Sequence, residues 1–372
     1  MYAQLMRTIG TCLAVALCVF ATSAAVRGDD QASLVERLQR SEAHKSGLAY
    51  HGEFIYTREI DEDHWEVAGR LYYTEDHRKR VILDHPAIFA GIEMMQTPED
   101  VWATKIEKER FEEIEDIVKP LTWFLVFRHG DVLTVEDWPL LAQNYDISQQ
   151  DDEERAGVPV LSIAIDPRHD NRPRAHVWLS EAHDLQVAYE RYDESGVRIE
   201  AFAFQEISIG PFEEEGLWDV EGMICLTDDD DDDKDKDDKD GRRDLEDAEP
   251  SFEPLEAQTL PDGFVLHKQS SWHGRLGVTM RHLYSDGLAR LSIYQRLLDE
   301  EDEDGDRRGR DDRRRGPEEG EVVDGTEDAK RQIKKYKRHD REIYFMDIDN
   351  LRISAVGDLP AETIIETLLS HQ

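Results

Sequence analysis

Between Val158 and Ile209 the chain carries four runs that fit β-strands: Val158–Ile165, Ala175–Leu179, Leu185–Tyr192 and Arg198–Ile209. β-Branched and aromatic residues are frequent in them, as strands favour. Turn chemistry separates the runs at Asp166-Pro167, Asn171-Arg172-Pro173, Ser180-Glu181 and Glu194-Ser195-Gly196. Strands joined so closely fold as an antiparallel meander. A meander this long needs something to cover one apolar face, which predicts a curved sheet or a half-open barrel. Upstream, Tyr50–Tyr56, Val67–Tyr73 and Lys79–Leu83 add further strand patterns. Asp30 is placed to cap a helix over Ala32–Ala43, where Leu34, Val35 and Leu38 share a face. The apolar run Leu121–Phe127 reads either as a buried strand or as a helix packed inside the curve.

Charge divides the rest of the chain. The 372 residues carry a formal net charge of −39. From Asp228 to Asp247 there are 13 acidic and 5 basic residues, and from Asp299 to Asp328 there are 15 and 6. Neither run has apolar periodicity, and neither has the apolar surface to offset the entropy of ordering it. The first reads as a linker and the second as a disordered insert. Around Gly305 the insert imitates a calcium loop, but Glu300 stands first, Asp311 stands twelfth and three arginines interrupt it. A solvated charge run is the better reading. The acidic excess also argues against nucleic acid as a partner.

Beyond the linker, Val265–Ser271, Val278–Leu283, Leu291–Leu297, Glu342–Ile348 and Leu351–Val356 are strand-like. Pro360 precedes a closing helix over Ala361–Leu369. The expected class is α+β and mainly β. It comprises a large N-terminal curved antiparallel sheet or unclosed β-barrel with helices, plus a smaller C-terminal α+β domain. The expected boundaries are a signal peptide over 1–28, the first domain over 29–215, an acidic linker over 216–258 and the second domain over 259–372, with its insert at 299–328.

The signal peptide rests on Arg7, the apolar stretch Ile9–Ala21 and the small residues Ser23-Ala24-Ala25. An uncleaved anchor is the alternative, although only about 18 residues, Ile9–Val26, are apolar or small and several of them are Thr or Ser. Cleavage removes Cys12 and Cys18 and leaves Cys225 alone, expected as a buried thiol.

Several ordered motifs coincide with one family. In the first domain they are Tyr50-His51-Gly52, Asn144-Tyr145, Ala156-Gly157, Ile165 to Arg172, Trp178-Leu179 and Phe204-Gln205. In the second they are Leu260-Pro261-Asp262-Gly263-Phe264, Tyr284-Ser285-Asp286-Gly287-Leu288 and Ala355 to Pro360. With this set the chain resembles the MucB/RseB family of periplasmic regulators. The resemblance implies a first domain like the LolA-type lipoprotein carriers. It also implies binding to the periplasmic part of a membrane anti-sigma factor, protection of that factor from proteolysis, and relief by lipid or lipopolysaccharide. The residues themselves read mostly as structural: Gly263, Gly287 and Gly357 suit turns or close backbone approach.

Three function classes compete. A binding regulator would use a surface, for which the basic cluster Lys334, Lys335, Lys337 and Arg338 is the candidate, facing an acidic partner or a lipid phosphate. The same cluster equally suits neutralising the adjacent acidic insert. A periplasmic lipid or lipoprotein carrier would line its curve with apolar side chains, for which Trp102, Trp123, Phe124 and Phe127 are the candidates. An enzyme is the weakest reading, because the chain has no nucleophile elbow, no HExxH and no paired-cysteine motif. No metal or cofactor is expected, and homo-oligomerisation stays open.

Overall fold

The computed structural model describes residues 31–41, 47–60, 63–104, 137–151, 153–225, 250–274, 277–298, 321–325, 332–338 and 341–371. The chain opens with helix α1 (31–41). Leu34 and Leu38 are buried on one face of α1, and Val35 packs beside them. Arg37 and Arg40 on its other side both grip Asp184, at 2.5 and 2.9 Å.

Twelve strands form the first sheet: β1 (Tyr50–Ile60), β2 (Asp63–Tyr73), β3 (Lys79–His85), β4 (Glu93–Gln96), β5 (Val101–Thr104), β6 (Tyr145–Gln149), β7 (Glu153–Arg155), β8 (Val158–Pro167), β9 (Arg174–Ser180), β10 (Gln186–Tyr192), β11 (Arg198–Ile209) and β12 (Met223–Cys225). The short helix α2 (Trp138–Asn144) runs straight into β6. The spatial order is β12-β5-β4-β3-β2-β1-β11-β10-β9-β8-β6, with β7 also paired to β8. Every pairing is antiparallel, and β12 and β6 end the sheet without meeting, so the curved sheet stays open. Alternation dictates its apolar face. Tyr56, Phe202, Tyr189 and Val177 lie across from one another on four neighbouring strands and are all buried. Phe54 stacks on Phe202 at 5.5 Å, and Tyr50 on Tyr73 at 5.2 Å. Leu34 and Leu38 of α1 belong to the same core.

Seven strands form the second sheet: β13 (Val265–Gly274), β14 (Gly277–Ser285), β15 (Arg290–Leu297), β16 (Glu321–Gly325), β17 (Gln332–Arg338), β18 (Arg341–Ile348) and β19 (Leu351–Gly357), followed by α3 (Ala361–Leu369). Their order is β13-β14-β15-β19-β18-β17-β16. Ile364 and Leu368 of α3 are buried against Ile293, Ile353, Ala355 and Met346, so the helix covers one face. The expected helix over 361–369 and the curved, unclosed first sheet are both observed.

Several elements differ from the sequence reading. β16 lies inside the stretch 299–328, and β17 carries three lysines and an arginine among its seven residues. β12 lies within 216–258 and pairs with β5. Cys225, expected buried, is half-buried. The run Leu121–Phe127, the signal segment, all of the first acidic run and most of the second lie outside the described residues. Among the described residues no helix is long and apolar enough to cross a membrane.

Candidate functional site at the junction of the two sheets

The α2–β6 segment is built to meet the second sheet. Asp137 caps α2 by accepting the Leu140 amide at 3.0 Å, and Pro139 sits in the first turn, where its missing N–H costs nothing. The capped turn delivers Leu141, Asn144 and Tyr145 into the interior. Asn144 Nδ2 donates to the carbonyls of Gly263 (3.1 Å) and Asp286 (2.9 Å). The Tyr145 hydroxyl lies 3.1 Å from both carboxylate oxygens of Asp286 and donates to that carboxylate.

Arg172 enters from the β8–β9 turn. Its Nε sits 3.2 Å from Asp286 Oδ2, and the two side chains are only 4% and 1% exposed. Nη2 donates to the Asp262 carbonyl and Nη1 to the Asn171 carbonyl, both at 3.1 Å. The guanidinium also lies 4.9 Å from the centre of the Phe264 ring. From its own hairpin Asp286 accepts the amides of Leu288 (3.1 Å) and Ala289 (2.8 Å). A buried charge is tolerated only when paired and hydrogen-bonded, and these partners meet that condition.

Two glycines let the backbones approach. At Gly287, where φ is +106°, a Cβ would sit 2.4 Å from the Leu141 nitrogen. At Gly263, φ +80°, it would sit 2.4 Å from Asn144 Oδ1. Leu288, on the second sheet's hairpin, packs into the first sheet's core. A second bridge joins Arg191 of β10 to Asp358 after β19 at 3.0 Å.

Burial is the largest influence on Asp286 and holds its carboxyl above the ordinary range, while the Ala289 and Leu288 amides, Tyr145 and Arg172 pull the other way. Burial also pushes the Tyr145 phenol up, with the Asp286 charge adding to it, so Tyr145 remains a hydrogen-bond donor at neutral pH. The opposite charge of Asp358 is the main influence that raises Arg191. Chemically, the cluster is closed on itself. Each carboxylate oxygen of Asp286 is engaged and the residue has no solvent exposure, so the group holds two sheets in one orientation.

The residues singled out from sequence fall elsewhere. Trp102 is half-buried on β5, opposite Met95 and Cys225. Trp123, Phe124 and Phe127 lie outside the described residues. A cavity of about 210 Å³ lies against the other face of the first sheet, lined among others by Ile55, Trp178, Ala188, Ala203 and Arg198, and Trp102 is not part of it. It is smaller than the roughly 300 Å³ at which ligand pockets begin. Trp178 is held there between Arg155 (3.7 Å) and His176 (3.9 Å) and donates to Glu153. Lys334, Lys335, Lys337 and Arg338 all lie on β17, but alternation sends Lys334 to one face and Lys335 and Lys337 to the other. Lys335 pairs with Glu342 at 3.3 Å.

The comparisons with known proteins agree with this architecture. The family model for the MucB/RseB N-terminal domain matches residues 32–223, just over half of the chain. The chain belongs to the MucB/RseB family. Two solved structures share its fold: MucB in complex with MucA(peri), and the MucA/MucB complex from Pseudomonas aeruginosa. Each is 16% identical at a TM-score of 0.54 over 91% of this chain, covering 97% and 98% of the respective MucB chain. A LolA superfamily protein from Nitrosomonas europaea overlaps 48% of this chain and 94% of its own, at 7% identity and a TM-score of 0.21. No curated protein matches the chain.

The motifs that carried the family resemblance converge here. Asn144-Tyr145, Arg172, Asp262-Gly263-Phe264 and Asp286-Gly287-Leu288 meet at the junction. Read singly, each suggests a turn; their contact across the two sheets is invisible to local pattern. One sequence signal was available: Asp137 before Trp138-Pro139-Leu140-Leu141 marks the start of a short capped apolar helix that leads into Asn144-Tyr145.

Proposed function

We propose that this protein is a periplasmic negative regulator that binds the periplasmic region of a membrane anti-sigma factor and shields it from proteolysis. The observation that carries the reading is the family match over residues 32–223. The family consists of regulatory binding proteins found in the periplasm. Its member MucB has been crystallised with MucA(peri). A buried, ion-paired cluster at the junction suits a rigid binding scaffold, and interface anchors rather than reacting groups would then carry the activity. Residues 1–28 serve as the export signal in this reading. Lipid or lipopolysaccharide relieves the binding, with Trp102, Trp123, Phe124 and Phe127 as the apolar lining.

The test is a proteolysis assay. Purified mature protein should bind the periplasmic segment of the anti-sigma factor encoded beside it and slow cleavage of that segment. Equal cleavage with and without saturating protein would overturn the regulatory reading. Co-purifying acyl chains, detected by mass spectrometry together with unchanged cleavage, would make the protein a lipid or lipoprotein carrier.

A further inference from the structure

The second sheet has two unlike faces. One is covered by α3. On the other, register brings charged and aromatic residues into rows. Trp272, Thr279, Arg296, Arg352 and Asp347 follow one another across β13, β14, β15, β19 and β18. In the next row lie Ser270, Arg281, Tyr294, Ser354, Phe345 and, on β17, Lys334. Lys268 stands opposite Leu283 in the row beyond, exposed at the β13 edge.

The charge of this face is opposite to that of the molecule. In a chain of net charge −39 it presents Lys268, Arg281, Arg296, Lys334 and Arg352. Among the described residues of these strands its one acid is Asp347, and both oxygens of Asp347 are taken by Arg352, at 2.8 and 3.0 Å. Aromatic rings hold the arginines. Arg352 lies 4.9 Å from the Phe345 ring and Arg281 5.8 Å from the Tyr294 ring, while Trp272 and Tyr336 contact Tyr294 and Phe345 edge to face. An arginine held against a ring loses less freedom when it then binds a carboxylate. Beside this face β13 ends the sheet, ten residues long, with Val265 and Leu266 exposed near its start. Such an edge offers backbone groups to an extended chain.

We propose that this arginine–aromatic face and the β13 edge together dock an extended acidic peptide segment of a protein partner. Charge selects the class of partner. A membrane surface or a nucleic acid would bring its own anionic charge against the rest of this acidic molecule, whereas one peptide strand meets only the cationic face. The edge supplies register, the cations read alternate Asp or Glu side chains, and Val265 and Leu266 take apolar neighbours. This docking surface goes beyond the regulatory reading, and its test uses a generic probe.

The probe is a short fluorescein-labelled peptide of alternating Glu and Leu, titrated against the full-length protein by fluorescence anisotropy. Its counterpart with Gln for Glu, single-stranded oligo-dT and phosphatidylglycerol vesicles are tested in parallel. The Glu peptide should bind, weaken as salt rises, and exceed the Gln peptide. Arg281→Gln should weaken it about tenfold, the loss of one charge-assisted contact. Lys268→Gln and Lys334→Gln should also weaken it, and these two changes keep the test alive if Arg281→Gln unfolds. Lys335→Gln, on the other face, should change nothing. Equal binding of the Glu peptide by the three cation variants and wild type would overturn the proposal. So would equal affinity for the Gln peptide, or capture of oligo-dT or vesicles in place of the peptide.

Discussion

Two arginine environments define this molecule. At the junction, Arg172 is sealed with Asp286, Tyr145 and backbone carbonyls. On the open face of the second sheet, Arg281 and Arg352 are half-buried and lie against rings, Arg281 donating to Ser292 and Arg352 pairing with Asp347. The residue type is the same, but its surroundings differ in solvent access. Out of water, a lost partner leaves an uncompensated charge, so the junction is costly to disturb. Near water, solvent replaces a lost partner cheaply, so the open face can exchange partners.

The largest expected effect lies at the junction. Arg172→Met should lower unfolding free energy by about 3–5 kcal/mol in urea denaturation, because it strands the Asp286 carboxylate. Adding Asp286→Asn should recover part of that loss by removing the stranded charge. A double variant no more stable than Arg172→Met would break the distinction between the two environments.

Next come the glycines. Gly287→Ala should cost about 1–3 kcal/mol, since it forces a side chain into a positive-φ site 2.4 Å from the Leu141 nitrogen. Gly277 has a similar φ of +87° but open space around it. Gly277→Ala should therefore cost less than Gly287→Ala in the same thermal melt, and the reverse order would mean that close approach is not what limits the junction.

Titration gives a subtler separation. Burial is the main cause that lowers the pKa of both His282 and His371, with Glu256 opposing it at His282 and the two histidines repelling each other at His371. Their folded values lie below the unfolded value of 6.5, so the stability they allow is present above about pH 6.5 and is lost as pH falls through the folded values. Asp286 runs the other way: its folded value is raised, so its contribution is fullest below its unfolded value of 3.8 and declines as pH rises through the folded one. Stability measured downward from neutral pH should therefore fall first through the histidines, and His282→Gln with His371→Gln should flatten that slope. The smallest stability effect belongs to the open face, where Arg281→Gln should shift stability by no more than about 0.5 kcal/mol.

How much of this was legible in the sequence depended on the range of the cause. The meander β8–β11 and the strands β1–β3 announce themselves by alternation, and α3 by its 3.6-residue period after Pro360. β17 hid behind its composition, because Gln332-Ile333-Lys334-Lys335-Tyr336-Lys337-Arg338 reads as a charge cluster until Ile333 is seen buried. β16 hid inside an acidic run, and β4, β5, β7 and β12 are too short to show a period. The aromatic lining read from sequence stays a proposal: Trp102 lies on β5, away from the cavity beside Trp178, and its three companions lie outside the described residues.

By itself the sequence determined that this chain is mainly β, that its first sheet is a long antiparallel meander and that a helix closes its C-terminal end. Those features rest on periodicity and turn chemistry within a few residues. Tertiary structure alone decided that Arg172 belongs to Asp286, that Gly263 and Gly287 admit α2, and that Lys334 shares a face with Arg281 while Lys335 does not. The reason is physical. Whether a charge is buried or open depends on which distant segment packs over it, and strand register, which no local pattern encodes, decides which side chains become neighbours.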